Sequence, residues 1–348
     1  MKRKFWLPLV VSAALVTAVG CGNNAGNGKT GSDSASAGSG NANAKTYKIA
    51  ISQIVEHSSL DATRNGFLAA LKDAGIEEGK NLKVDYNNAQ DDSTNNLSIA
   101  QKIASSDNDL VLAIATPSAI AVAQQVKKAP VLFAAVTDPV AAKIVSNLDK
   151  PGGNVSGASD TNPEAITKLM DFIAGNFPKV KTVGLVINEG EPNAVVMAKK
   201  AEEALTKHGI KLIKAPITNT SEVKQAGESL IGRVDALYIT LDNKVVGGVD
   251  TLLKLAKDKH IPFFSSDRDT VEKGAFATVG FKYFDHGYQV GQMAVDVLKN
   301  GKKPGDMKVT VQEKLDVILN LKAAKDQGIE VTDAMKKAVQ DPKNNIIQ

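Results

Sequence analysis

Residues capable of specific chemistry collect at one kind of place in this chain, the carboxyl ends of apolar runs. Gln53, Glu56, His57 and Ser58 stand at the end of the run 47–55, Thr116-Pro117-Ser118 after 110–115, and Thr137-Asp138-Pro139 after 131–136. Glu191-Pro192-Asn193, Asp242-Asn243 and Ser265-Ser266-Asp267 stand in the same relation to runs at 182–187, 236–240 and 262–264. In an open parallel sheet, ligands bind beyond the carboxyl ends of the strands. Several of these residues open a helical pattern, where free N–H groups and the helix dipole favour an anion. Capping of the helix is the competing role for Ser58, Thr94, Asp138 and Asp242. The chemistry on offer is recognition: hydroxyls and amides to hydrogen-bond a solute, carboxylates to pair with an ammonium group or organic hydroxyls. The candidate ligand-binding residues are Gln53, His57, Ser58, Thr116, Ser118, Thr137, Asp138, Asn193, Asp242 and Asp267. Asp242, with Asn243 beside it, is the first choice as ammonium partner.

Catalysis fits less well. The chain has no GxSxG elbow and no HExxH, and no motif fixes a nucleophile near His57, which beside Glu56 would otherwise suit a general base. His57, His208, His260 and His286 lack metal-ligand spacing, and Asp138, Asp242 and Asp267 are spread over two units. Neither a metal nor another cofactor is expected.

The formal net charge of +4 comes from 42 Lys+Arg and 38 Asp+Glu. Lys2, Arg3 and Lys4 supply three of the positives, so the rest of the chain is close to neutral. Nucleic acid is thereby disfavoured as a partner, because phosphate binding needs a clustered basic surface. The one cysteine, Cys21, excludes intramolecular disulfides. It ends a basic start, an apolar core at 7–19 and the small residues Ala18-Val19-Gly20, the pattern of an export signal over 1–20. A Cys directly after a small residue resembles a bacterial lipobox, with Cys21 as the lipidated residue. Residues 21–45, rich in Gly, Ser, Asn and Ala, form a flexible tether. Gly26-Asn27-Gly28-Lys29-Thr30-Gly31 within it matches a phosphate-loop pattern, but has no strand before it or helix after it.

From residue 46 apolar runs alternate with helical patterns. Strands are expected at 47–55, 82–86, 110–115 and 131–136, with helices at 59–74, 94–104 and 117–127 between them. The continuous run at 110–115 has the character of a strand buried on both faces of a parallel sheet. After Pro151-Gly152-Gly153-Asn154 the rhythm restarts: helix 163–176, strand 182–187, helix 194–208, strand 211–217, helix 221–231, strand 236–240, helix 245–259, and strands 262–264 and 276–281. Two α/β units, each a doubly wound parallel sheet, follow from this alternation.

Signal, tether and two such units together resemble a type I periplasmic-binding-protein fold, that of a solute-binding lipoprotein of an ABC importer. Within that group the chain resembles the family with tryptophan- and tyrosine-binding members. The matching strings are Gln53 with His57 and Leu60-Asp61, Ala115-Thr116-Pro117-Ser118-Ala119, Val136-Thr137-Asp138-Pro139 and Lys150-Pro151-Gly152-Gly153-Asn154-Val155-Ser156-Gly157. Glu191-Pro192-Asn193, Asp242-Asn243 and Asn320-Leu321-Lys322-Ala323-Ala324 complete them. The chain departs where the family often has Pro after the histidine (Ser58) and Ser after the Glu-x-Asn motif (Ala194).

The resemblance implies discontinuous lobes, residues 46–156 with about 282–313 and residues 157–281 with about 314–348. Three hinge crossings would join them, with Gly157 and Gly280 suited as hinges. It also implies a monomer, tethered to the cell membrane on the extracytoplasmic face, that closes on a small solute and delivers it to ABC permease subunits. The expected ligand is an aromatic amino acid such as tryptophan, with Phe133, Phe264, Phe281 and Tyr283 as possible contacts. A sensory module for a membrane kinase, a binder of a nucleoside- or sugar-like solute, and a lipid-anchored enzyme are the alternatives.

Overall fold

The computed structural model describes residues 45–312 and 314–348. The signal, Cys21, the tether up to residue 44 and the match at 26–31 lie outside the described residues. Thirteen strands follow in order: β1 Tyr47–Gln53, β2 Leu82–Asn88, β3 Leu110–Ile114, β4 Val131–Val136, β5 Val155–Ser159, β6 Thr182–Ile187 and β7 Lys211–Pro216. They continue with β8 Ala236–Ile239, β9 Phe263–Ser265, β10 Ala277–Gly280, β11 Thr310–Val311, β12 Asp316–Asn320 and β13 Ile346–Ile347. The first sheet has the order β11-β5-β4-β3-β1-β2 and the second β13-β12-β10-β9-β8-β6-β7. Each sheet carries helices on both faces, the arrangement that buries a parallel sheet completely. β3 is buried at every position. Its side chains alternate between two cores, Leu110 and Leu112 in one and Val111 in the other, as the two-residue period of a strand requires.

The second sheet is parallel except that β12 runs antiparallel to β10. The chain passes between the sheets three times: after Ser159, after Gly280, and between Val311 and Asp316. A lobe boundary between residues 156 and 157 would cut β5, which pairs with β4 from Val155 to Ser159; the first crossing lies beyond it. Gly157 sits inside that strand, where a Cβ would come within 2.1 Å of the Phe133 carbonyl oxygen. Its role is close packing in the sheet rather than hinge motion. The pattern read as one helix over 245–259 is two, Asn243–Gly247 and Val249–Lys259, divided at Gly248. The helix Arg268–Lys273 is too short and too charged to show in the sequence.

The helices Ser58–Asp73 and Tyr283–Asn300 lie side by side on the first sheet. A Cβ on Gly287 would sit 1.9 Å from the Thr63 carbonyl oxygen, and one on Gly66 2.0 Å from that of Phe284. The two backbones touch only because both positions lack side chains. The helix that follows the second crossing is thus fixed to the helix that begins at His57. No helix among the described residues is long and apolar enough to cross a membrane.

Candidate functional site

Between the two sheets lies a narrow polar cavity. His57, Ser59, Leu60, Ala135, Thr137, Asp160 and Tyr283 line it together with Asn193, Leu241, Asn243, Val246 and Asp267. That wall contains two carboxylates and no Lys or Arg, so it favours a cation. The lobes touch across it. His57 Nε2 lies 3.2 Å from Asn243 Oδ1, and Ser59 Oγ donates to Asp267 Oδ1 at 3.1 Å. Nearby, Lys244 Nζ meets Asp91 Oδ2 at 2.6 Å.

On the first lobe the site begins at the end of β1. His57 is the N-cap of the helix Ser58–Asp73 and makes no side-chain capping bond, while Ser58 Oγ is buried without a partner. Donors are therefore on offer at this helix start. At β4 the register slips between Phe133 and Val136, and Ala135 takes a positive φ of 55°. A residue other than glycine holds that conformation only when its surroundings fix it. Here the Ala135 N–H donates to the buried His286 Nε2 at 3.0 Å. Burial keeps the His286 imidazole neutral, at about 4, so its nitrogen remains an acceptor. The bulge turns Ala135 into the cavity wall.

On the second lobe a buried network aims the amides. Asn193 Nδ2 donates to Glu191 Oε1 at 2.9 Å and to the Leu241 carbonyl oxygen at 2.7 Å. Asn243 donates to Glu191 from both its backbone N and its Nδ2. Its Oδ1 is thus the atom facing His57, and the proton of a neutral His57 ring belongs on Nε2. Burial lowers the His57 pKa, against the raising influence of the Asn243 bond and Asp267. Its Nδ1 is buried without a partner, an acceptor at the cavity.

The acids differ in what they have left to give. Asp267 accepts from Ser59, Ser265 and twice from Thr270, while remaining on the cavity wall. Asp160 accepts from Tyr283 Oη at 3.0 Å and Thr161 Oγ1 at 3.0 Å, and burial still pushes its carboxyl up to about 6. Burial, with Asp242 next to it, pushes Glu191 up to about 8. Asp242, raised to about 6 by burial, accepts backbone N–H groups of Asn188 at 2.5 Å, Lys244 at 3.1 Å and Val245 at 3.3 Å. It caps a helix and is absent from the cavity wall. Of the two, Asp267 is the one on the wall.

Of the other sequence candidates, His57, Thr137 and Asn193 also line the cavity. Gln53 is used up by Val55, Asp61 and Arg64. Thr116 Oγ1 accepts from the Thr137 N–H, and Ser118 donates to Asn96 Oδ1. Asp138 caps Ala141 and lines an adjoining space shared with Thr137, Met197 and Lys200. Another space reaches toward the hinge past Ile166, Leu169, Met197 and Phe281. Tyr283 and Phe281 stand at these walls, whereas Phe133 and Phe264 are fully buried core. Sequence reasoning missed Asp160 and Ser59. Asp160 follows β5, whose Val-Ser-Gly-Ala-Ser lacks the apolar signature that marks the other strand ends. Among the described residues no cluster of three or more His, Cys, Asp or Glu is arranged to hold a metal.

The family model for ABC transporter substrate binding proteins matches residues 48–342. A tyrosine-binding protein of Clostridioides difficile is 37% identical over 322 residues, 92% of this chain and 91% of that protein. Among solved structures, an ABC domain in complex with L-Trp from Streptococcus pneumonia is 30% identical with a TM-score of 0.80, covering 87% of this chain and 100% of that one. A ligand-free, open substrate-binding protein with adhesive properties from Clostridium difficile is 40% identical, yet its TM-score is 0.63, over 87% of this chain and 98% of that one. Structural agreement is thus better with the ligand complex than with the more similar open chain, consistent with lobes that touch across the cleft. A glucose-galactose-binding protein and a leucine-binding protein share the fold, that of type I periplasmic binding proteins. With two α/β lobes around one polar cleft and a family match over nearly all described residues, the chain belongs to the ABC transporter substrate-binding proteins, a family that binds its solute without transforming it.

Proposed function

We propose that this protein captures an aromatic amino acid, tyrosine or tryptophan, between its lobes and delivers it to an ABC permease as a monomer. One observation carries the reading: the cleft wall sets Asp160 and Asp267, with no Lys or Arg among its residues, beside the open helix start at His57. The first lobe offers the helix start at His57, which makes no side-chain capping bond and lines the cavity, a setting for an α-carboxylate; Ser58 beside it is not on the wall. The second lobe offers Asp267, with Asp160 at the crossing between lobes, for the α-ammonium. The spaces past Leu169, Met197 and Phe281 take the ring. The tyrosine-binding relative and the tryptophan complex support the same class. A solute touching both lobes favours the closed state by its differential affinity for it. A thermal-shift screen over amino acids, nucleosides and sugars tests this, because a ligand of the native state raises the midpoint. Tyrosine or tryptophan should give the largest shift; a shift with sugars or nucleosides alone overturns the reading.

The tethered location is part of the same proposal. Cys21 would carry the lipid after removal of residues 1–20, holding the binding lobes at the extracytoplasmic face of the cell membrane. Stable anchoring takes two acyl chains, which one lipidated Cys can supply. Cys21→Ser should release the protein from the membrane fraction; a variant that stays as firmly bound as the wild type excludes the anchor.

A further inference from the structure

Asn193 is 5% exposed, lines the cavity, and holds its Oδ1 buried without a partner. Neighbours fix which way the amide points. Nδ2 donates to the Leu241 carbonyl oxygen and to Glu191 Oε1. A carbonyl only accepts, so turning the amide over would set two oxygens against each other at Leu241. Glu191 Oε1 already receives the Asn243 amide. The nitrogen is committed, and the oxygen faces away from both partners. A buried acceptor left without a donor is costly, and native proteins keep few of them.

The surroundings indicate which donor suits it. The α-ammonium has a stronger partner in the Asp267 carboxylate on the same wall. Met197 lies one turn further along the helix Pro192–Lys207, on the face that Asn193 shares at a spacing of four. Met197 forms part of the wall of both adjoining, largely apolar spaces. A ring packed against Met197 in either space would have Asn193 one turn back on the same helix, on the wall of the neighbouring cavity. A neutral amide oxygen at that point is matched to a neutral O–H or N–H, the group that separates tyrosine and tryptophan from phenylalanine.

We propose that Asn193 selects among aromatic amino acids by accepting a hydrogen bond from a side-chain O–H or N–H at the ring edge, so that phenylalanine is rejected. The proposal rests on the amino-acid reading of the cleft. Phenylalanine would fill the space and leave Oδ1 buried and unpaired, at a loss of roughly 5- to 140-fold in affinity. Sites built to bond a hydroxyl or amine discriminate strongly against the analogue that lacks it. The nearby Glu191 acts only through Asn193 and Asn243, as a positioning residue.

The test is isothermal titration of the full-length chain with tyrosine, tryptophan, phenylalanine, O-methyltyrosine and 1-methyltryptophan, before and after Asn193→Leu. Tyrosine or tryptophan should bind the wild type more tightly than phenylalanine by that factor, and methylation of its donor should remove the advantage. Asn193→Leu should abolish the preference: the preferred ligand loses affinity, while phenylalanine, no longer burying an unpaired Oδ1, does not. The methylated ligands probe the unaltered protein, so the outcome does not depend on the variant's folding. Equal wild-type binding of phenylalanine overturns the selection proposal while the amino-acid reading stands. So does an equal loss for all ligands in Asn193→Leu, which would assign Oδ1 to the α-amino group. Binding of none of these ligands overturns both.

Discussion

In the first lobe, the helices Ser58–Asp73, Thr116–Gln125 and Tyr283–Asn300 begin at His57, Ala115 and Lys282, none of which makes a side-chain capping bond. In the second lobe, Asp242, Asp267 and Asn320 all cap the helices they precede. The architecture is the same, but these three starts in the first lobe are open and these three in the second are closed by side chains; elsewhere Asp92 caps a first-lobe helix and Glu191 leaves a second-lobe one open. The first lobe brings the open helix start at His57 to the cleft together with the acceptors His57 Nδ1 and Asp160, and the second brings Asp267. A polar residue at a strand end is available to a ligand only as far as its own helix does not use it. Asp242 and Asp267 both cap a helix and accept several hydrogen bonds; only Asp267 also stands on the cavity wall.

The widest separation between these two acids should appear in binding. Asp267→Asn keeps a good N-cap but removes the charge that would pair with an ammonium. The affinity for the amino acid should fall by roughly 30- to 5,000-fold, from about 2–5 kcal/mol for breaking a buried charged pair. Asp242→Asn should instead lower stability by about 1–3 kcal/mol, with an amide nitrogen facing backbone donors, and leave affinity nearly unchanged. Titration calorimetry and urea unfolding of the two variants decide this, and the opposite assignment of effects would break the comparison.

Next in size is a pH effect centred on Glu191 in the second lobe. Glu191 stands near 4.5 when unfolded and about 8 when folded. The folded state holds the extra proton between those values, so the stability from Glu191 is full below about 4.5 and is lost as pH rises through about 8. Unfolding free energy should decline over that window, and Glu191→Gln, which stays neutral, should flatten the profile. A slope identical to wild type would show that Glu191 is not the neutral acid of the network.

On the first lobe the corresponding weak point is backbone contact. Gly287→Ala forces a Cβ against the Thr63 carbonyl oxygen and should cost about 1–3 kcal/mol of stability. Ligand affinity should fall with it, because the displaced helix begins at the cleft; full stability in denaturant melts would mean the helices can part freely. The smallest effect belongs to the link between lobes. Lys244 and Asp91 are 18% and 17% exposed in their side chains, and Lys244→Ala removes a pair worth about 1 kcal/mol, roughly fivefold in affinity. Small-angle scattering should show a larger mean radius of gyration for the unliganded variant. An unchanged profile would leave closure to the cleft contacts alone.

Much of the fold is legible in the chain because parallel strands buried on both faces must be apolar throughout. The runs at Leu110–Ile114 and Val131–Val136 could hardly be anything else. β5 escapes notice because its Ser156 and Gly157 are small residues fitted against a neighbouring strand, not apolar ones. β12 shows no sign of its antiparallel direction, since direction depends on where the chain re-enters the sheet. Within the site, His57, Thr137, Asn193 and Asp267 were recognisable from their places after strands. Asp242 and Asp267 carry the same local signal, a carboxylate just past a buried strand, and only the neighbours of each tell them apart.

The sequence by itself determined the alternation of strands and helices, the near-neutral charge of the folded part, the absence of disulfides, and the polar character of the strand ends. These follow from residue type and spacing, which act over one or two turns of chain. Tertiary structure decided which acid stays on the cavity wall, which way the Asn193 amide faces, and that Asp160, Ser59 and His57 meet residues more than a hundred positions away. The physical reason is that a buried polar atom is defined by whether its hydrogen bonds are already taken, and the partners that decide this come from distant segments of chain, for His57 and Ser59 from the opposite lobe, brought within reach only when both sheets have formed and closed on each other.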